Sequence, residues 1–208
     1  MARWVIVGGA DVNNYDAVKS FLKDDDIMVY CDCGLKHMEA LGRPADLVLG
    51  DFDSHPKPHT AVETIVLPVE KDDTDSVFAA KEGIRRGYTD IVLVGAVGGT
   101  LDHTMANISI LLWLDEMGAN AVLIDDYSQM EVISSGKSAL VEDTYDKFSV
   151  VAMTPEVTGV YISDARYTLD DGVIQMSYQY AVRNEPIPGK TARVTIGCGK
   201  ALLIKIWK

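Results

Sequence analysis

The stretch LVLGDFDS at residues 47–54 joins a short apolar run to two aspartates. An apolar run of this length, followed at once by a glycine, is typical of a strand buried on both faces of a sheet. Ligands of parallel α/β sheets bind at the edge formed by the carboxyl ends of the strands. Asp51 and Asp53 follow the strand, so we expect them at such an edge. The stretch therefore predicts an α/β fold with a site at one sheet edge.

The same alternation of apolar runs with helix-length segments fills the first two thirds of the chain. Such alternation is typical of parallel strands joined by crossover helices. Thr74 is suited to cap the third helix, and Gly118 to end the fourth. The predicted strands are 4–7, 28–31, 47–49, 64–67, 91–94 and 121–124, and the predicted helices are 15–23, 35–41, 75–87 and 102–117.

From about Ser128 the pattern changes to short alternating runs rich in Val, Ile, Thr and Tyr. Asp171-Gly172 predicts a hairpin turn, since this pair adopts the positive φ angles that tight hairpins need. The runs predict a small all-β sandwich, and we expect two domains, 1–130 and 131–208. Its clearest strands are predicted at 150–153, 173–177, 193–196 and 202–206.

Composition excludes several classes of protein. A net charge of -12 disfavours binding to nucleic acids or anionic membranes, because both need basic surface. Residues 1–14 contain no basic region leading into a sustained apolar run, so we expect a soluble cytoplasmic protein. Cys31, Cys33 and Cys198 form an odd set, and we interpret them as reduced thiols, with the first two buried near a strand end.

Asp51 and Asp53 are the first candidate metal ligands. They alternate about Phe52, so in an extended segment their side chains would project the same way. Two converging carboxylates suit Mg²⁺, which completes its octahedron with water and substrate phosphates. The alternative is that both aspartates solvate a loop or cap a helix, since Asp and Gly are common turn residues.

The second acidic cluster, KDDTD at residues 71–75, precedes a predicted helix and belongs to the same edge. Asp75 could supply another metal ligand and Lys71 could reach a phosphate, while free N–H groups of the helix terminus suit anionic oxygens. For Asp72 and Asp73 we prefer a solvated helix cap.

The third cluster, GAVGGTLDH at residues 95–103, lies between a strand and a helix. Its glycines permit close backbone approach and positive φ, so the loop could fold around a nucleotide. It has neither the ending of a Walker loop nor the spacing of a dinucleotide fingerprint. Taken alone, His103 is more often a hydrogen-bonded residue at a helix start than a catalytic base.

Three such loops after three parallel strands predict one site. Acidic and glycine-rich loops together suit transfer of a phosphate-containing group from a nucleotide. In such reactions Mg²⁺ bridges phosphate oxygens while the protein supplies ligands and orientation.

The order of these motifs resembles the thiamine pyrophosphokinase family over nearly the whole chain. The motifs that carry the resemblance are Cys31-Asp32-Cys33-Gly34, Gly50-Asp51-Phe52-Asp53-Ser54, Lys71-Asp72-Asp73-Thr74-Asp75, Gly98-Gly99-Thr100-Leu101-Asp102-His103 and Asn107.

The resemblance implies transfer of the ATP pyrophosphoryl group to the hydroxyl of thiamine, with release of AMP. It implies that Mg²⁺ is the cofactor and that the protein is a homodimer with a shared active site. The implied metal ligands are Asp51, Asp53 and Asp75, which with Asp102 form the catalytic set. The implied ATP-binding residues are Asp32, Lys71, Gly98, Gly99, Thr100, Asp102, His103 and Asn107.

In the carboxyl half, Tyr167, Arg183 and Asn184 fall in segments that resemble family motifs, which implies that they bind thiamine. The Tyr167 ring could stack on a cationic thiazolium, or it could be a structural strand residue.

Three positions depart from the family pattern. Thr100 replaces an arginine, Cys33 a glycine and Arg183 a serine. A phosphate-binding cation is then absent unless Arg43, Arg166 or Arg183 supplies it. Arg183 beside a cationic thiazolium is electrostatically unfavourable. The alternatives are a related pyrophosphokinase with another acceptor, a catalytically weak nucleotide- or thiamine-binding protein, and a metal-dependent phosphohydrolase.

Overall fold

A computed structural model describes residues 2–52, 62–70 and 72–208 of the chain. The chain divides into two compact units, Met1–Asp126 and Tyr127–Lys208. Within the described residues, no helix has the length and hydropathy that a membrane crossing requires.

The first unit contains a parallel sheet in the order β4-β3-β2-β1-β5-β6. All six predicted strands are confirmed, each within a residue of its predicted bounds. The four central strands are almost entirely buried, whereas the edge strand Glu63–Val66 is partly exposed. The register pairs Val7 with both Tyr30 and Val94, so three strands end at one level. The strands are β1 (Trp4–Val7), β2 (Ile27–Cys31), β3 (Leu47–Gly50), β4 (Glu63–Val66), β5 (Asp90–Val94) and β6 (Asn120–Ile124).

In the part of the unit that the structure describes, four α-helices and one 3₁₀ helix connect these strands. The predicted helix 35–41 is instead a 3₁₀ helix, Asp32–His37, followed by a single α-helical turn. Thr74 caps its helix as predicted, with its hydroxyl oxygen accepting from the N–H of Val77 at 3.3 Å. The α-helices are α1 (Tyr15–Phe21), α2 (Met38–Leu41), α3 (Asp75–Arg85) and α4 (Leu101–Glu116).

Helix α3 packs against β1 through one buried tryptophan. Trp4 is 1% exposed, and its indole N–H donates to the carbonyl of Ala79 at 2.9 Å. Gly83 lies so close that an added Cβ would stand 2.7 Å from the Trp4 ring. This packing holds α3 over the sheet with its N-terminus at the carboxyl edge.

The second unit consists of antiparallel strands, as predicted. One set has the order β7-β13-β9, and a four-stranded sheet has the order β11-β10-β12-β8. Buried side chains of both sets, including Phe148, Val160 and Leu203, form one hydrophobic core. The strands are β7 (Ser128–Ser134), β8 (Ser138–Val141), β9 (Tyr145–Ala152), β10 (Glu156–Ser163), β11 (Leu169–Gln175), β12 (Ala192–Thr195) and β13 (Lys200–Trp207).

The predicted hairpin turn at Asp171-Gly172 is wrong. Both residues lie inside β11, where Gly172 pairs with Val160 and the register shifts on either side. Asp171 has a φ of 54°. A bulge requires the same left-handed backbone as a tight turn, so the local sequence does not distinguish the two structures.

Candidate functional site

A cavity of about 420 Å³ lies at the carboxyl edge of the parallel sheet in the first unit. Its walls are the loops after β1, β2 and β5 and the N-termini of α3 and α4. The lining residues are Gly8, Gly9, Ala10, Cys31, Cys33, Thr74, Asp75, Ser76, Gly95, Ala96, Gly98, Gly99, Thr100, His103 and Asn107.

The loops after β1 and β5 form one wall by direct backbone contact. Gly8 donates its N–H to Val94 at 2.8 Å, and Ala10 donates to Gly95 at 2.9 Å. A Cβ on Gly8 would stand 2.6 Å from the Gly95 carbonyl oxygen, so this approach requires glycine. Sequence reasoning missed this wall, although a glycine pair directly after β1 was a usable signal.

The glycine-rich loop between β5 and α4 is held against the helix by two side chains. Gly98 and Gly99 have φ angles of 113° and 69°, which a residue with a side chain rarely adopts. The Thr104 hydroxyl accepts from the Gly98 N–H at 3.1 Å, and the Asn107 amide donates to the Ala96 carbonyl at 2.8 Å. The predicted residues Gly98, Gly99, Thr100, His103 and Asn107 are thus brought together around the cavity, whereas Thr104 was missed.

Asp102 is placed differently from its neighbours. It is exposed, and it is absent from the residues that line the cavity. Hydrogen bonds from the Thr100 hydroxyl and from the His103 N–H lower the pKa of its carboxyl. The His103 bond measures 2.9 Å, so Asp102 satisfies N–H groups at the start of α4.

The N-terminus of α3 contributes Thr74, Asp75 and Ser76 to the cavity. Asp75 is the first residue of this helix, where the dipole favours negative charge. Asp73, two residues earlier, forms an ion pair with Lys81 at 2.6 Å. Asp73 therefore makes a structural ion pair, and the helix cap predicted for it is supplied by Thr74.

Asp32 is 2% exposed and opens the 3₁₀ helix at the end of β2. It packs on the end of β3, since a Cβ on Gly50 would lie 2.5 Å from the Asp32 Cβ. Phe52 has a φ of 57°, so the backbone at this residue is not extended. The relative direction of the Asp51 and Asp53 side chains stays a prediction, because Asp53 lies outside the described residues. A bulky residue in this left-handed region is uncommon and recurs at functional sites.

Asp53 and Lys71 lie outside the described residues. Within the described ranges, no group of three or more His, Cys, Asp or Glu side chains could hold a metal ion. The predicted magnesium ligands include Asp53, so the three-carboxylate site stays a prediction. The lining does offer hard oxygen donors from Thr74, Asp75 and Ser76, which suit Mg²⁺.

The cysteines are free thiols, as predicted. Cys31 is buried, and burial raises the pKa of its thiol, as does the nearby charge of Asp75. Cys33 was predicted to be buried but is half-buried, because it lines the cavity with its side chain directly against Gly9. Cys198 is exposed.

In the second unit, the structure brings Tyr167 together with the 183–185 segment. The Asn184 amide binds the Tyr167 backbone twice, accepting from its N–H at 3.0 Å and donating to its carbonyl at 2.7 Å. Asn184 is only 5% exposed, whereas the Tyr167 side chain is exposed. Arg183 is exposed and has a φ of 57°. Asn184 thus supports a turn that presents the other two side chains.

Three arginines were candidates to supply the phosphate-binding cation that Thr100 lacks, and two of them interact with other groups. Arg166 forms an ion pair with Glu185 at 2.9 Å, and its guanidinium lies 5.6 Å from the Tyr167 ring centroid. Arg43 donates to the carbonyl of Asp24 at 3.1 Å.

Comparison with known proteins gives concordant matches. The family model described as "Thiamin pyrophosphokinase, catalytic domain" matches residues 18–123. A thiamine pyrophosphokinase of Bacillus subtilis is 23% identical over 208 residues, 97% of this chain and 96% of the relative. A crystal structure of a thiamine pyrophosphokinase from Bacillus subtilis superposes with a TM-score of 0.88 at 19% identity and covers 99% of both chains.

A second crystal structure, of a thiamin pyrophosphokinase from Geobacillus thermodenitrificans, has a TM-score of 0.84 at 21% identity, covering 100% of this chain and 98% of its own. Both superpositions establish the mixed α/β fold. The family model spans just over half of the residues and includes the loops after β2 and β5 and the N-termini of α3 and α4, which line the cavity. The chain therefore belongs to the thiamin pyrophosphokinase family.

Proposed function

We propose that the protein is a thiamine diphosphokinase, which transfers the pyrophosphoryl group of ATP to thiamine. The thiamine hydroxyl oxygen attacks the β-phosphorus, the bond from that phosphorus to the oxygen of the α-phosphate breaks, and AMP leaves. The hydroxyl proton is released, and thiamine diphosphate is the second product. The observation that carries this proposal is the cavity at which the predicted glycine loop and Asp75 meet, in a chain of this family.

The cavity suits a nucleoside triphosphate because helix N-termini in its lining offer backbone N–H donors. Its described lining contains no lysine or arginine, but it includes the N-termini of two helices and residues of two glycine-rich loops. Helix N-termini and such loops bind phosphate because their N–H groups have no partner in the helix and the dipole favours anions. We propose that Lys71 adds the cation, and that Asp32, Gly98, Gly99, Thr100, Asp102, His103 and Asn107 bind or orient ATP.

We propose that Asp51, Asp53 and Asp75 hold Mg²⁺ at this edge. Bound there, the ion would neutralise phosphate charge as it develops during transfer. Asp75 is suited to this role because it is fixed at the first position of α3 by a capped helix start and faces the cavity.

For the acceptor we propose the second unit. The exposed Tyr167 ring offers a face for the cationic thiazolium, and Asn184, which follows Arg183 in the chain, binds the Tyr167 backbone. We propose that residues 1–130 bind ATP and Mg²⁺, that 131–208 bind thiamine, and that the enzyme is a cytoplasmic homodimer.

The decisive test is incubation of the purified protein with Mg²⁺, ATP and thiamine, followed by chromatography. Equal amounts of thiamine diphosphate and AMP are the expected result. AMP formed without thiamine would indicate hydrolysis. Thermal protection by ATP without protection by thiamine would favour a different acceptor.

Cys33 allows the nucleotide site to be tested without turnover. In a Cys198→Ser background, N-ethylmaleimide should label Cys33, since Cys31 is buried and its raised pKa keeps the thiol protonated. Magnesium and ATP should slow this labelling, because Cys33 lines the cavity. Labelling at the same rate with saturating ATP would place the nucleotide elsewhere.

A further inference from the structure

His37 is a buried titratable residue for which the proposed reaction provides no role. It closes the 3₁₀ helix Asp32–His37 and is 1% exposed. Its Nε2 lies 2.9 Å from the carbonyl oxygen of Ala10, and its Nδ1 lies 2.7 Å from the hydroxyl of Tyr15. Burial lowers the pKa of the imidazole, which favours the neutral ring at pH 7.

These two contacts determine the tautomer. A carbonyl oxygen only accepts, so Nε2 carries the proton and donates it to Ala10. Nδ1 then accepts from the Tyr15 hydroxyl. One ring therefore links the start of α1 to the loop after β1.

Ala10 is the residue of that loop that contacts both His37 and the cavity. It lines the cavity, its N–H donates to Gly95 at 2.9 Å, and its carbonyl oxygen accepts a hydrogen bond from Nε2–H of His37. The glycine-rich loop lies next to Ala10, since a Cβ on Gly98 would lie 3.9 Å from the Ala10 methyl group. A displacement of Ala10 would consequently move two loops of the site.

The far end of the same loop is held independently. The Asp126 carboxylate accepts from the N–H groups of Asn13 and Asn14, each at 2.9 Å. Gly8 and Gly9, in contrast, have little conformational preference of their own. Between the glycine pair and the Asp126 anchor, the segment is held by the buried His37 and by the exposed ion pair of Lys36 with Asp11 at 2.7 Å.

We propose that His37 is a positioning residue for the nucleotide, acting through the Nε2–H bond to Ala10 that fixes the cavity wall. This inference rests on the proposed function, since the ligand it positions is ATP. Loss of the donor leaves a carbonyl without its partner, and the loop relaxes to satisfy it. We expect this change to weaken the binding of the nucleotide and to leave the binding of the acceptor unchanged.

The test compares His37→Leu with His37→Gln, whose side-chain amide reaches the position of Nε2 and donates there. The probe is α,β-methylene ATP with Mg²⁺, measured by calorimetry, because its bridging bond cannot be cleaved. His37→Leu should raise the Kd of the probe and the KM for ATP about tenfold, as expected for loss of one buried hydrogen bond. The kcat and the KM for thiamine should stay unchanged, and His37→Gln should restore most of the affinity.

Tyr15→Phe provides a second variant that does not depend on the folding of His37→Leu. It removes the donor to Nδ1, so the ring can turn, and the Kd should rise about threefold. Kd and KM values like those of the wild type in His37→Leu and Tyr15→Phe, with only a lower Tm, would show a merely structural role and overturn the inference. A wild-type protein that fails to bind the probe would instead overturn the proposed function, and the inference with it.

Discussion

Two aspartates of the same short motif have different surroundings. Asp73 forms an ion pair with Lys81, whereas Asp75 occupies the first position of α3 and lines the cavity. Their side chains are chemically identical, so any difference in function comes from position. This pair is a natural comparison for the metal-binding proposal.

We expect Asp75→Ala to lower kcat at least about 100-fold, because it removes a proposed ligand of the ion that neutralises phosphate charge. Steady-state assays measure this loss of kcat, and thermal unfolding should show little change in Tm. Asp73→Ala is the matched control and should keep kcat within about threefold, since its partner is an exposed lysine. Equal losses in both variants would contradict a specific role for Asp75.

At the scale of elements, the site depends on how α4 holds the glycine-rich loop. Thr100, Thr104 and Asn107 are spaced by four and three residues, so they lie on one face of the helix. Thr104 and Asn107 bind the backbone of Gly98 and Ala96. A loop with several positive φ angles is thereby kept in one conformation.

Thr104→Val should raise the KM for ATP about three- to tenfold, because valine has the same shape but cannot accept from the Gly98 N–H. Thr104→Ser keeps the hydroxyl and should behave nearly as the wild type. The measurement is the KM for ATP and for thiamine in all three proteins. Equal KM values for ATP in the valine and serine variants would show that the hydroxyl bond is unimportant.

Gly8→Ala should destabilise the fold by about 2 kcal/mol or more, because the new Cβ would stand 2.6 Å from a backbone oxygen. Gly42 provides the control. It has a φ of 66° but open space around it, so Gly42→Ala should lose only about 1 kcal/mol. Urea unfolding measures both values, and a larger loss at Gly42 would refute the steric explanation.

At the scale of the whole molecule, the net charge is -12, and buried carboxylates need basic partners. One such carboxylate is paired with two arginines. Glu82 is 7% exposed on α3 and binds Arg85 at 2.6 Å and Arg86 at 2.7 Å. Arg86 also pairs with Glu63 of β4 and lies over the Trp4 ring of β1. This network connects the helix to two strands.

The hydrogen bond from Arg85, followed by that from Arg86, lowers the pKa of Glu82 from about 4.5 to about 2. Because the folded pKa is depressed, the stabilisation is complete above about pH 4.5 and is lost as the pH falls toward 2. The free energy of unfolding of the wild type should exceed that of Glu82→Gln at pH 5, and this difference should shrink by about 2 kcal/mol by pH 2.5. Urea unfolding of both proteins across this range measures it, and a constant difference would contradict the mechanism.

The sequence by itself determined the strands, most of the helices and the edge that carries the site. The runs at β1 and β5 are apolar and short, and the capping residue Thr74 precedes its helix, so the preference of each segment is local and agrees with the fold. The glycine-rich loop and Asp75 were found for the same reason.

Only the tertiary structure decided which residues meet. Asp75 lines the cavity while Asp73 is paired away from it, His37 reaches Ala10 across 27 positions of sequence, and Asp171 forms a bulge where the local pattern indicates a turn. Local patterns specify backbone preference and burial, but they do not specify partners. Those contacts form between segments far apart in the chain, and their geometry follows from strand order and helix packing.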